Sequence, residues 1–444
     1  MSEVVLPEGW IKTELKDFVF NANGARKPIS AELREQIKGS FPYYGATGQI
    51  DSLNDYTHEG EHILIGEDGA NLLSKSKDLA FVVNGKYWVN NHAHAVRPLA
   101  GVPSKYIANF INSLDLTSFV TGSAQPKLTK GNLEKIEIPV PPLAEQKIIA
   151  AKLDELLAQV DIIKARLTTI PKMLKRFRQS VLAAAVSGKL TEEWRGEHGF
   201  NFSDWINSDV GSVSKVATGK TPRRAENRYW DNGHIPWLTS SSTGNEYTYS
   251  AEQFVTDFAV KDCGLKVFDI GTLLLAMYGE GKTRGQVTEV MLASTCNQAC
   301  AAITADESKI SRAFLKLRLL ENYEETRKVA AGGAQPNLNL NKVRDIPLLL
   351  PSIEEQTEIV RRVEQLFAFA DQIEQQVKNA QSRVNNLTQS ILAKAFRGEL
   401  TADWRAANPD LITGQNSAQA LLAKIKAERE KPKKTTKQHA MFNE

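Results

Sequence analysis

Residues 149–181 read IAAKLDELLAQVDIIKARLTTIPKMLKRFRQSV, and residues 359–391 read IVRRVEQLFAFADQIEQQVKNAQSRVNNLTQSI. In the first stretch Ile149, Leu153, Leu156, Val160, Ile163, Leu167, Ile170, Leu174, Phe177 and Val181 are spaced four, three, four, three without a slip. In the second, Ile359, Val363, Leu366, Ala370, Ile373, Val377, Ala380, Val384, Leu387 and Ile391 keep the same spacing. That spacing holds apolar side chains on one seam of a helix and predicts a coiled coil. The two runs align without a gap at an offset of 210 residues, and the alignment extends past the helices. Gln125-Pro126 matches Gln335-Pro336, Glu145-Gln146 matches Glu355-Gln356, and Gly188 matches Gly398. Leu190-Thr191 and Trp194-Arg195 match Leu400-Thr401 and Trp404-Arg405. About 22 of the 71 positions from Gln125 to Arg195 are identical in the second copy, more than a shared heptad habit produces. Half the chain is a duplicated scaffold.

Working outward, residues 1 to about 140 read as mixed strand and loop. Ile63-Leu64-Ile65 and Phe81-Val82-Val83 are short apolar strands, Lys105 to Asn112 a brief helix, and Ile136 to Val140 a last extended piece. Pro141-Pro142 stops that strand and opens the first long helix, which runs to about Ser187-Gly188 with Gly188 as its cap. Pro171 should bend this helix or divide it in two; Gln381 stands at the matching place in the second copy. Residues from about 200 to 350 repeat the mixed character. Trp10-Ile11 recurs as Trp205-Ile206 and Gly24 as Gly219, both at an offset of 195. Asn91-His92-Ala93 resembles Asn297-Gln298-Ala299, and Leu273-Leu274-Leu275 resembles Ile63-Leu64-Ile65. Residues 411–444 read as a polar helix, Ser417 to Lys431, followed by a basic tail.

The fold class is therefore α+β: two mixed variable units (1–141 and 197–350) alternate with two long helices (142–196 and 351–410), and a tail follows. Duplication predicts a pseudo-twofold axis, antiparallel helices and one unit at each end. Ile149 to Val181 would span roughly 48 Å at about 1.5 Å per residue. Two reading heads so spaced suit two DNA half-sites about one helical turn (~34 Å) apart.

The bulk numbers set bounds. The 444 residues, 42% hydrophobic and 24% charged, are ordinary for a globular protein with several cores. No apolar run approaches the ~20 residues a membrane helix needs, and the start lacks the pattern of a signal peptide, so a cytoplasmic protein without membrane contact is expected. Three cysteines, Cys263, Cys296 and Cys300, make no disulfide framework. The segment from Leu411 onward carries a net charge of +4, leaving −1 on the rest. Any DNA affinity must come from local patches.

At Pro-Pro-Leu-Ala-Glu-Gln (141–146) and its partner Pro351 to Gln356, the chain resembles the specificity subunits of Type I restriction–modification systems. The Gln125-Pro126 loop and the closing Gly-x-Leu-Thr-x-x-Trp-Arg of both copies fit the enterobacterial subgroup, and the likeness runs from Leu6-Pro-Glu-Gly-Trp10 to the last helix. The resemblance implies two target-recognition domains, each reading half of a split double-stranded DNA site. It implies helices that set the spacer and dock two modification subunits, with restriction and motor subunits joining through the complex. S-adenosylmethionine, ATP and Mg2+ would belong to those partners, and this chain would bind no cofactor and catalyse nothing. The rival readings are a stand-alone DNA-binding regulator, a coiled-coil assembly scaffold, and an NTPase acting through Lys282.

The residues give little support to catalysis. Ala276 to Thr283 nearly matches Gly-x-x-x-x-Gly-Lys-Thr, but the first Gly is missing and Arg284 to Val287 returns to strand rather than helix. No Asn-Pro-Pro-Phe or Asp-Pro-Pro-Tyr motif is present; Asn408-Pro409-Asp410-Leu411 lacks the second Pro and the aromatic. His92 and His94 would share one face of a strand and Cys296 lies four residues before Cys300, yet neither pair has the further ligands of a metal site. For DNA, basic, amide and hydroxyl side chains on loops are the candidates. In the first unit these are Arg26, Lys27, Tyr43, Tyr44, Thr47, Lys75, His92, Gln125 and Lys127. In the second they are Arg223, Arg224, Arg228, Ser240, Ser241, Lys282, Arg284, Gln335 and Asn337. Lys172, Lys175, Arg176 and Arg178, after Pro171, could face DNA or a partner. Trp194-Arg195 and Trp404-Arg405 lie outside the heptads, where a large aromatic needs cover, and are expected against the scaffold base or a partner.

Overall fold

The computed structural model describes residues 6–122, 125–279, 283–323, 325 and 338–430. The chain divides into two compact units: residues up to Leu167 together with those from Asn379 onward, and Thr168–Lys378. Each unit thus holds one mixed α/β domain, half of each long helix, and its own core.

In the first unit Ile11–Glu14 pairs antiparallel with Glu137–Val140, Ile11 opposite Val140, so the ends of the mixed domain meet. Between them lie two four-stranded sheets. One runs in the spatial order Val19–Asn21, Ala93–Pro98, His62–Gly66, Ala80–Val83; the other runs Gly48–Leu53, Lys38–Gly45, Lys86–Val89, His58–Glu59. Helix Ser104–Ser113 buries Tyr106, Ile107, Phe110 and Ile111 against Ile63, Ile65 and Val96 of the first sheet. Each such side chain contributes roughly 1.5–3 kcal/mol on burial. The C-terminal helix Ala418–Glu430 adds Leu421 and Ile425 to this core, and its Glu428 carboxylate accepts from the Ala100 amide at 2.7 Å.

The second unit repeats the plan. Ile206–Asp209 pairs with Pro347–Leu350, and helix Arg312–Glu321 buries Phe314, Leu315 and Leu319. The larger sheet has five strands, in the order Ser214–Thr218, Cys300–Ala305, Leu273–Ala276, Val287–Val290, Tyr247–Thr248; Gln253–Val255, Ile235–Leu238 and Thr295–Cys296 form the smaller. The second four-stranded sheet of the first unit and the three-stranded sheet of the second each contain one parallel pairing, Tyr44 with Val89 and Leu238 with Cys296.

The long helices, Leu143–Val186 and Ile353–Phe396, have 44 residues each. Pro171 lies inside the first without dividing it, which settles one of the two expectations for that residue. Within the first unit Ile149 and Leu153 share a core with Leu392, Ala395 and Phe396, and Lys164 Nζ donates to Thr388 Oγ1 at 3.2 Å. Within the second, Val181, Leu182 and Ala185 pack with Ile359 and Val363. The start of each helix meets the end of the other, so the pair is antiparallel. Val160 and Val377 are buried, while Leu156, Leu167, Leu366 and Ile373 are half-buried. Two seam residues depart from the expectation: Ile163 is 42% exposed and Leu387 44%. Heptad spacing puts them on the seam, but none of the described residues of the first unit closes over them. Arg178, expected to face DNA or a partner, instead pairs with Asp371 at 2.6 Å and Glu374 at 3.1 Å.

Gly188 and Gly398 end the helices with φ of +77° and +74°, a left-handed turn that glycine adopts without a Cβ penalty. Each turn delivers a threonine and an arginine to a buried glutamate at the start of the other helix. Glu355 accepts from Trp205 Nε1 (2.9 Å), Thr191 Oγ1 (2.7 Å) and Arg195 Nη1 (2.6 Å), while Arg195 Nη2 donates to the Gly188 carbonyl. Glu145 accepts from Trp10 Nε1 (2.9 Å), Thr401 Oγ1 (2.6 Å) and Arg405 Nη1 (3.0 Å), while Arg405 Nη2 donates to the Gly398 carbonyl. The two repeated arginines are therefore used inside the chain, and Arg195, only 6% exposed, has no surface to offer a partner. Trp194, half-buried, stacks on His198 and Phe200; Trp404 is also half-buried.

Candidate nucleic-acid interface

Backbone hydrogen bonds gather five loops at one edge of the first unit. The Asn90 amide donates to the Tyr44 carbonyl, the Glu67 amide to His92, the Gly69 amide to Pro126, the Leu128 amide to Glu67, and the Lys27 amide to Val89. Arg26, Lys27, Thr47, His92, Gln125 and Lys127 all stand on these loops. Lys27, Thr47, His92, Gln125 and Lys127 are exposed there.

Arg26 is not a free cation. Its Nη1 lies 2.5 Å from Glu67 Oε2 and donates to the Ala93 carbonyl at 2.9 Å, so it ties three loops together. Burial acts to raise the Glu67 carboxyl, but Arg26, His94 and Lys127 outweigh it and hold Glu67 below its usual range. Lys127 Nζ is 3.3 Å from the same carboxylate, and His92 Nδ1 is 2.7 Å from Asp68. The edge is a mixed-charge surface, not a basic patch. Tyr43 is also corrected: at 3% exposure it packs with Leu53 and Trp88 in the core, because its strand turns that side inward. Tyr44, half-buried, leans on Phe81 and Tyr87. Lys75 follows the short helix Asn71–Ser74 with a left-handed backbone (φ +47°), and burial lowers its pKa. Among the described residues no hydrogen bond joins it to the five loops.

His92 and His94 do not share a surface. His94 is fully buried, bonded to the Leu128 carbonyl at 2.8 Å and to Asn23, and burial lowers its pKa.

The second unit carries the same edge with different side chains. The Asn297 amide donates to the Leu238 carbonyl, the Met277 amide to Ala299, and the Leu338 amide to Met277. These bonds repeat those of Asn90, Glu67 and Leu128, so Asn297 corresponds to Asn90, one residue away from the match that the sequence favours. Arg224 lies over Trp230 and Trp237, 4.1 and 4.7 Å from the ring centroids, and donates to Gln253. Arg228 is held by Glu226 (2.8 Å). Arg223 is exposed and forms no ion pair among the described residues. Ser240 and Ser241 begin a turn capped by Thr239, the residue after Leu238, with Ser241 Oγ 2.7 Å from Thr239 Oγ1. Arg284 is half-buried and reaches the Gly279 carbonyl. Lys282, Gln335 and Asn337 lie outside the described residues. The segment that resembles a phosphate-binding loop joins two antiparallel strands, Leu273–Ala276 and Val287–Val290, so the helix whose N-terminus such a loop requires is not there. Cys296 and Cys300 sit in an apolar cluster with Leu274 and Ala302, where burial pushes the Cys296 thiol up to about 12 and raises Cys300 as well.

Sequence reading passed over Asn91, Thr221 and Gln298 as contact candidates. Gln298 is exposed at the second edge and its Oε1 accepts from Thr221 Oγ1 at 2.6 Å. The signal was present in the Asn-x-Ala repeat, but the one-residue misregister hid which side chain stands at the tip.

A family model described as Type I restriction modification DNA specificity domain matches residues 7–172 and 202–381. The chain is 34% identical to the Type I restriction enzyme EcoDI specificity subunit of Escherichia coli, over 97% of both chains. It is 41% identical to the EcoKI specificity subunit of Escherichia coli strain K12, over 75% of this chain and 74% of the other. Among solved structures, the HsdS subunit from Thermoanaerobacter tengcongensis shares the fold with a TM-score of 0.55 at 17% identity, over 89% of this chain and 99% of that one. A chain from a structure of Type I R-M complex assembly and conformational transition matches with a TM-score of 0.66 at 16% identity, over 89% and 99%.

Proposed function

Since the chain belongs to the Type I restriction–modification DNA specificity family, we propose that it is the non-catalytic subunit that reads a bipartite double-stranded DNA target, one half-site per recognition domain. The duplicated loop edge carries this reading: one hydrogen-bonded frame occurs twice and presents different side chains each time. A shared frame with divergent tips suits two half-sites of different sequence. Direct readout needs amide, hydroxyl and guanidinium groups on base edges, and phosphate contacts fix register.

In the proposed complex the long helices act as the spacer and as the docking site for two modification subunits. Those subunits bring S-adenosylmethionine and methylate adenine; restriction and motor subunits bring ATP and Mg2+. The near-neutral body of this chain fits such sharing, because partners supply phosphate contacts and linkage of two weak half-site contacts raises affinity through effective concentration. The test is the methylome of cells given this chain with compatible modification subunits, against cells lacking the chain. A new split motif with adenine methylation on both strands is expected. A complex that forms and leaves no new mark overturns the reading.

A further inference from the structure

The two edges share a tight loop whose tip carries an amide in both units. In the first, the Asn90 amide is held by Tyr44, the Asn90 side chain accepts from the His92 amide at 2.8 Å, and the His92 carbonyl is held by Glu67. In the second, the Asn297 amide is held by Leu238, the Asn297 side chain accepts from the Ala299 amide at 3.0 Å, and the Ala299 carbonyl is held by Met277. This is an Asx turn clamped on both sides by strand ends. The residue between the clamped positions is Asn91 in one unit and Gln298 in the other, and both are exposed. The clamp fixes the Cα from which each amide projects. Tyr44 and Leu238, which hold the two loops, lead directly into the neighbouring Thr47 and Ser240 turns.

We propose that Asn91 and Gln298 are equivalent base-reading residues, each recognising an adenine in its own half-site. This rests on the functional reading given above. A side-chain amide is the group that meets adenine bidentately: its oxygen accepts from N6 and its nitrogen donates to N7. At Gln298 the Thr221 hydroxyl occupies one lone pair of Oε1, which fixes the amide against flipping and leaves the second lone pair and both Nε2 hydrogens for the base. Thr221 is thus a positioning residue. Asn91 has no such anchor among the described residues; its backbone carbonyl receives Arg26 at 3.4 Å instead.

The experiment measures methylation by the complete complex on a plasmid library in which each target position is randomised. Wild-type chain must first yield a bipartite motif; without one the functional reading fails and this inference falls with it. Given a motif, Gln298→Ala is expected to relax an A·T requirement at one position of one half-site by about 10- to 100-fold, and Asn91→Ala to do so in the other. The shape-matched Gln298→Glu and Asn91→Asp present only acceptors and are expected to switch those positions toward cytosine, whose N4 donates. Thr221→Ala should weaken discrimination at the Gln298 position alone. Unchanged preferences, or both alanine variants acting on one half-site, overturn the proposal. Should an alanine variant modify nothing, its complex is titrated with duplexes carrying each base pair at every target position; a wild-type ranking overturns the proposal, and a ranking flattened at one position supports it.

Discussion

Glu145 and Arg405 lie 260 residues apart in sequence and 3.0 Å apart in space. Glu355 and Arg195 repeat the contact at 2.6 Å across 160 residues. In each case a helix end, a helix start and the first tryptophan of a recognition domain meet on one buried carboxylate. Removing that carboxylate leaves a largely buried guanidinium, an indole N–H and a hydroxyl without their acceptor, a loss of about 3–5 kcal/mol. Glu145→Ala should therefore lower the stability of the first unit, and Glu355→Ala that of the second. Hydrogen exchange read by mass spectrometry should show lost protection confined to the unit that carries the substitution. Equal loss in both units from either variant would contradict the assignment.

The two units differ at the glutamine beside each carboxylate. Gln356 Oε1 accepts from the Ser311 amide at 2.7 Å, whereas Gln146 Oε1 is buried with no hydrogen-bond partner among the described residues. The position equivalent to Ser311 is Pro103, which has no N–H. The backbone there is the same, φ −66° at Ser311 and −65° at Pro103, so the difference is one of donors alone. Pro103→Ser should supply both the missing amide and a hydroxyl cap for helix Ser104–Ser113, raising stability by about 1 kcal/mol. Ser311→Pro should cost at least about as much. Urea denaturation with the m-value checked for constancy measures both.

Acid should weaken the first unit before the second. His58, His62 and His94 are buried there, and burial lowers the pKa of each, His62 to about 4. The second unit's His198 and His234 are exposed. A histidine depressed on folding stays neutral in the native state while the unfolded chain takes a proton near pH 6.5. For His62 the unfolded state binds more protons between about pH 6.5 and 4, and His58 and His94 act in the same direction below about pH 6.5, so stability falls as pH falls, by at most about 1.4 kcal/mol per pH unit per histidine. Exchange protection should drop over that window in strands His62–Gly66 and Ala93–Pro98, with Leu273–Ala276 less affected. His62→Asn should flatten the slope; an unchanged slope would remove His62 from the account.

Periodicity exposed the scaffold because a heptad seam is written in consecutive residues, and duplication singled out Glu145, Glu355, Arg195 and Arg405 without showing that they meet. What the seam could not show is where cover ends. Ile163 and Leu387 obey the same spacing as Leu153 and Val377, yet exposure depends on what packs over the helix pair, which spacing does not encode. The contact residues were hidden for a related reason. Arg26 and Tyr43 have the right chemistry for DNA, but the Glu67 carboxylate and the inward face of a strand claim them. Composition identifies a candidate; only the pairing of distant loops tells whether it is free.

The exposure of Ile163 and Leu387 has its own test in the isolated chain. Ile163→Lys and Leu387→Lys should each change stability by less than about 0.5 kcal/mol, the range of ordinary surface substitutions. Leu153→Ala, which opens the closed core beside Phe396, should cost about 2–5 kcal/mol. Thermal unfolding of the three variants decides between a closed seam and the open one described.

The glycines that sequence reading paired, Gly24 and Gly219, should respond in opposite ways. A Cβ on Gly219 would lie 1.6 Å from the Cys296 carbonyl oxygen, whereas one on Gly24 would meet nothing within 4 Å. The close approach lets the strand ending at Thr218 pass into the Lys220–Arg224 loop directly beneath Asn297-Gln298. Gly219→Ala must push that loop away, and with it Thr221, whose hydroxyl holds Gln298. Backbone displaces backbone here, so no side-chain rotamer relieves the clash, and a loss above about 2 kcal/mol is expected. Gly24→Ala should be tolerated within about 1 kcal/mol. Methylation specificity of the assembled complex should follow the same division: Gly219→Ala degrades recognition of one half-site and leaves the other sharp, and Gly24→Ala alters neither. Loss of both half-sites from Gly219→Ala alone would mean that the loop supports the chain as a whole rather than one reading edge.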